Sequence, residues 1–157
     1  MRSILNKAYR EEEGAALVEF ALILPVFLVL ALGTLDLGRA FHYWIDGTHL
    51  AAEGARWAAV GRNPGPGSTL ANSIRDHAAL GELRTGGTTS VPTGIQVCVD
   101  FPNGTRGAGD PVRVTTTYTY NFLGFIAGKT GIASKTVHNT ATMRLERKPQ
   151  FDAHCST

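Results

Sequence analysis

Cysteine is nearly absent from this chain, and so is any concentration of charge. Two cysteines, Cys98 and Cys155, are too few for a disulfide framework and lack the spacing of a zinc site. Fifteen Lys and Arg against thirteen Asp and Glu leave a net charge of only +2. No basic stripe accompanies it, so no nucleic-acid partner is expected. The five histidines are scattered; His42 and His49 lie seven residues apart with no companion acid or metal-spaced partner. No Ser/His/Asp or paired-carboxylate set assembles without assuming a fold. The segment Gly124-Phe125-Ile126-Ala127-Gly128-Lys129-Thr130 imitates a phosphate-binding loop, but three residues separate its glycines instead of four. The expectation is therefore a protein that is not an enzyme and that holds no metal and no cofactor.

Charge is missing most completely between residues 15 and 35. In those 21 residues the only ionisable group is Glu19. At about 1.5 Å per helical residue the run spans the roughly 30 Å apolar core of a bilayer. A carboxylate inside such a segment costs about 2.5 kcal/mol or more at mid-depth, so Glu19 needs a reason to be there. Arg2, Lys7 and Arg10 with Glu11, Glu12 and Glu13 make a charged leader ahead of Gly14. A secretory signal would place its apolar core before the cleavage site and close it with small residues. Here the apolar core follows Gly14. The charges favour a cytoplasmic leader and a translocated C-terminal domain. Pro25 removes one backbone hydrogen bond from the helix and predicts a kink, which membrane helices tolerate.

The order Gly14-Ala15, then Glu19-Phe20, then an apolar helix resembles the class III leader of type IV pilins. More narrowly, Gly14-Ala15-Ala16-Leu17-Val18-Glu19-Phe20-Ala21-Leu22 with Pro25, Asp36-Leu37-Gly38-Arg39 and Ala52-Glu53-Gly54-Ala55-Arg56 resembles the TadE-like proteins. Those are minor pilins or pseudopilins of the tight-adherence (Flp, type IVb) pilus. The resemblance is dense over residues 11–61 and returns weakly around residues 112–115 and 141–146. It implies cleavage by a prepilin peptidase between Gly14 and Ala15, leaving Glu19 as the fifth residue of the mature chain. Glu19 and Phe20 would then serve subunit pairing, the carboxylate being neutralised by a freed amino terminus. In the family the position after this Glu is often Tyr; Phe20 keeps the ring without the hydroxyl. A kink at Pro25 would help subunits leave the bilayer. The implied partners are the prepilin peptidase, other pilins and minor pilins, the inner-membrane assembly platform and the lipid bilayer. The implied location is the bacterial inner membrane, single pass, with the C-terminal domain outside the cytoplasm and incorporation into a pilus as one outcome. The other reading of the same residues is an unprocessed single-pass anchor carrying a periplasmic binding or scaffold module.

The pattern predicts an α+β, pilin-like fold, with a long N-terminal helix packed on a small antiparallel three-stranded sheet. The helix covers residues 15–62, about 72 Å if unbroken, and crosses the membrane in 15–35. Gly47, Ala51, Ala55 and Ala59 recur every fourth residue and offer a flat face to the protein's own sheet or to another subunit's helix. The helix stops at Asn63-Pro64-Gly65-Pro66-Gly67. The outer domain, residues 63–157, holds a second helix over 68–84 capped by Ser68, with Leu70, Ile74, Ala78 and Leu83 on its apolar face. Strands follow over 93–101, 110–122 and 133–146, the first two joined as a hairpin through Pro102-Asn103-Gly104, and residues 123–132 form an irregular crossover. Cys98 and Cys155 either pair, closing a 57-residue separation worth about 4 kcal/mol in loop entropy, or remain two free thiols.

Overall fold

The computed structural model describes residues 2–62, 64–65, 68–123 and 133–156, with side chains from Gly14 onward. The leader's charged side chains, the 124–130 glycine pair and most of the 123–132 crossover lie outside these residues. The chain divides into two units, Met1–Gly38 and Arg39–Thr157.

Helix α1, Arg2–Ala59, supplies all of the first unit's described structure and enters the second. In the first unit its apolar side chains face outward all round: Leu17, Leu22, Ile23, Phe27 and Leu30 are each more than 60 % exposed. A helix that is apolar on every side and buries none of it suits a hydrocarbon solvent and no aqueous one. Its most apolar 18-residue window has a mean hydropathy of 2.6. Pro25 lies inside this continuous helix.

In the second unit the same helix becomes one-sided. Tyr43, Leu50, Ala51, Ala55, Ala58 and Ala59 are buried while Phe41, Trp44 and Ile45 stay exposed. The small-residue stripe does lie on the chain's own sheet. A Cβ added at Gly47 would come within 2.6 Å of Asn139 Nδ2 and 3.1 Å of the Tyr118 ring, and one at Gly54 within 2.9 Å of Ile74 and 3.2 Å of Val114. Helix α1 ends before the proline-glycine segment. Gly61 takes φ +63°, its N–H bonds Ala58 O at 3.0 Å and Arg62 N–H bonds Trp57 O at 3.0 Å. That pair is the Schellman closure, which only a left-handed residue permits, so the stop is Gly61 and not Pro64.

The expected second helix over 68–84 is two short ones, α2 (Leu70–Asp76) and α3 (Gly81–Thr85). Thr69 caps α2, its hydroxyl accepting Asn72 N–H at 3.2 Å, in place of Ser68. Between the helices the Asp46 carboxylate of α1 accepts Leu80 N–H at 3.0 Å and Ala79 N–H at 3.4 Å. A continuous helix would need those donors for its own ladder; Asp46 takes them and starts α3 instead. Leu70, Ile74, Ala78 and Leu83 are all buried nonetheless.

The sheet has four strands, not three: β1 (Gln96–Asp100), β2 (Pro111–Asn121), β3 (Ser134–Arg144) and β4 (His154–Cys155), ordered β3-β2-β1-β4 and antiparallel throughout. Each longer strand is shorter than its sequence pattern by one to three residues at an end. On β2 the alternation is complete, with Val112, Val114, Thr116, Tyr118 and Tyr120 buried and the residues between them half-exposed. β3 follows β2 over all eleven residues, from Pro111 opposite Arg144 to Asn121 opposite Ser134. β4 pairs through Cys98 opposite Cys155 and Val99 opposite His154, covering the β1 edge.

Candidate functional site

The residues singled out at the N-terminus sit on α1. Gly14 is helical, and a Cβ added there meets nothing within 4 Å. The peptide bond joining it to Ala15 is wound into a helix. Glycine, with its low helix propensity, makes that turn easier to open. Glu19 is exposed on the same helix, and Phe20 next to it is 61 % exposed. Among the described residues no cation pairs with Glu19. A carboxylate in lipid is costly unless it is partnered. One helical turn separates it from Ala15.

The second unit shows how the helix is held. Thr116, buried mid-strand, donates its hydroxyl to the Gly47 carbonyl at 3.0 Å. Thr48 donates to Asn139 Oδ1 at 3.2 Å. Asp46 holds α3 as described, and Tyr43 donates its hydroxyl to Glu82. Sequence reading missed this polar seam, since Asp46, Thr116 and Asn139 carry no periodic signal and acquire a role only through residues 33 or more positions away. Tyr118 lies beside it, 2 % exposed, and its pKa is pushed up to about 12, chiefly by burial and then by the nearby Asp46 charge. Tyr118 is therefore neutral at any physiological pH.

Cys98 and Cys155 are joined by a disulfide that fastens β4 to β1. Ser156 follows, its N–H bonding Val97 O at 2.7 Å and its hydroxyl accepting Val97 N–H at 2.9 Å. The chain end is thus tied to a central strand. On the outer sheet face Asp100 stands opposite Arg113 and accepts its Nε–H at 3.0 Å, raising the guanidinium's pKa above its ordinary value through that hydrogen bond first and the charge second. The rest of that face is a row of hydroxyls, with Thr115 near Thr140 and Thr119 near Thr136. His42 and His49 are exposed, His49 3.8 Å from Glu53 one turn on.

Among the described residues no three His, Cys, Asp or Glu side chains cluster as a metal site would require. No curated protein and no solved structure matches the chain. Residues 14–56, from the glycine ahead of the apolar run to the buried end of α1, match the family model for TadE-like proteins, which is consistent with a TadE-like protein of the Tad pilus system.

Proposed function

We propose that this chain is a minor pilin or pseudopilin that is processed between Gly14 and Ala15 and takes part in priming or building a Tad-type pilus. The observation that carries the reading is the coincidence of three features in one helix. The TadE-like match begins at Gly14, the exposed apolar surface begins beside it, and Glu19, the single acid of residues 15–35, lies little more than one turn further on. Cleavage would create a cation at Ala15 close to that acid. Within lipid, two opposite charges separated by one turn attract strongly, which gives the carboxylate a reason to exist there. The same pairing can run between subunits, the Glu19 of one against the amine of the next. Pro25 leaves one carbonyl of the helix without its usual donor and so lowers the cost of bending or unwinding there. The outer domain, closed by its disulfide and by the Gly61 stop, would be the part displayed outside the cytoplasm.

The test is a pair of variants expressed with the pilus machinery. Gly14→Ala should slow processing by about tenfold or more, since a methyl group enters a site shaped for none and helix propensity rises by about 1 kcal/mol. Glu19→Ala should be processed at the normal rate yet be lost from sheared pili. Normal incorporation of Glu19→Ala would contradict the pairing role.

A further inference from the structure

A groove of about 650 Å³ opens on the second unit where α1 passes the start of α3 and the 88–90 turn. Its wall carries one cation, Arg39, one imidazole, His42, one carboxylate, Glu82, and the turn residues Thr88, Thr89 and Ser90; the Thr88 hydroxyl is held by Val91, donating to its carbonyl at 3.3 Å and accepting its N–H at 3.0 Å. Arg39 and His42 are exposed, and among the described residues Arg39 makes no ion pair. Glu82 accepts the Tyr43 hydroxyl, and a carboxylate keeps further lone pairs for a second donor. On α1 the groove begins four residues after Leu35, the end of the apolar run. Within the second unit the helix still leaves Phe41, Trp44 and Ile45 outward, at 49–63 % exposure. A tryptophan and an arginine at the end of an apolar helix mark the membrane interface, where phospholipid headgroups lie.

From this we infer that the groove holds the headgroup of a zwitterionic phospholipid bearing a primary amine. Its phosphate is taken by Arg39, His42 and the Thr89 and Ser90 hydroxyls, and its ammonium by Glu82. The charge pattern separates the candidates. A purely anionic headgroup leaves Glu82 facing like charge, whereas a quaternary ammonium cannot donate a hydrogen bond to it. A primary ammonium satisfies both ends. Size agrees, since the groove falls within the range of small-ligand sites. The inference rests on the membrane-anchored reading of residues 15–35.

Two measurements on the full chain keep the two readings apart. Flotation with phospholipid vesicles tests the anchor alone; native mass spectrometry from detergent, with phosphatidylethanolamine, phosphatidylcholine and phosphatidylglycerol at equal concentrations, tests the groove. We expect phosphatidylethanolamine to be retained roughly fivefold over either competitor, the worth of one exposed charge-assisted contact. Arg39→Gln should lower retention by a similar factor. Glu82→Gln, which keeps an acceptor for Tyr43, should erase the preference over phosphatidylcholine. Ser90→Ala, which leaves the helices untouched, should weaken retention by a smaller factor and carries the test if Glu82→Gln does not fold. Glycerophosphoethanolamine, lacking acyl chains, should fail to displace the lipid at equal concentration. Flotation with equal retention of all three lipids, wild-type retention in both charge variants, or displacement by the soluble headgroup would each overturn the assignment.

Discussion

Tyr118 shows how single residues set the tolerances of the outer domain. It is buried at the seam between α1 and the sheet with its pKa pushed up to about 12, against about 10 in the unfolded chain. Between those two values the unfolded state loses a proton that the folded state keeps. Stability is therefore full below pH 10 and falls as pH rises through that window, by about 2–3 kcal/mol in all. The Tyr118 hydroxyl has no acceptor among the described residues, so Tyr118→Phe should leave neutral-pH stability within about 1 kcal/mol. Urea titrations of both proteins across pH 9–12 should show the variant's alkaline decline flattened by that amount; parallel curves would contradict the burial effect. Gly54 acts through space instead. An alanine there gains about 1 kcal/mol of helix propensity but must push Ile74 and Val114 aside, at about 1–3 kcal/mol. The expected net for Gly54→Ala is a loss of about 1 kcal/mol, read as a fall of roughly 4 °C in the thermal midpoint.

Among the elements, what could be read from sequence followed from periodicity. β2 alternates cleanly because one sheet face packs on α1 and the other meets solvent, so Val112 to Tyr120 declare their side. The apolar run of α1 needed only length and hydropathy. The small-residue stripe was equally plain, and the structure settles its partner as the sheet. Features built by distant side chains were not legible. The break between α2 and α3 is made by Asp46, 33 residues before Ala79, and no local residue signals it. Gly61 ended α1 where the proline-glycine run looked the stronger stop, since one left-handed residue closes a helix as surely as a proline. β4 is two residues long and has no period at all; its only trace in the sequence was Cys155. Because the disulfide closes a 57-residue separation, Cys155→Ser should cost about 4 kcal/mol and release β4 from the β1 edge. Thermal unfolding of the variant beside the chemically reduced wild type should show matching falls. A wild-type midpoint in the variant would mean that the Ser156 bonds to Val97 hold the edge unaided.

At the scale of the molecule, a helix whose large apolar side chains are mostly exposed in its first unit becomes one-sided in its second. The first is long and apolar enough to cross a bilayer, and a four-stranded sheet with two short helices covers the second. The TadE-like match spans this change of environment, ending at Arg56, three residues before the helix does. The chemistry proposed for the chain is confined to a few residues near Gly14: under that proposal a glycine at the cut, an amine created by it and one carboxylate to receive that amine. Tyr118, the disulfide and the polar seam hold the second unit together. N-terminal sequencing of the protein recovered from membranes of cells that make the prepilin peptidase tests this most directly. The account predicts a mature chain beginning at Ala15, with Glu19 fifth. A chain that still begins at Met1 would contradict it and leave a permanently anchored outer domain.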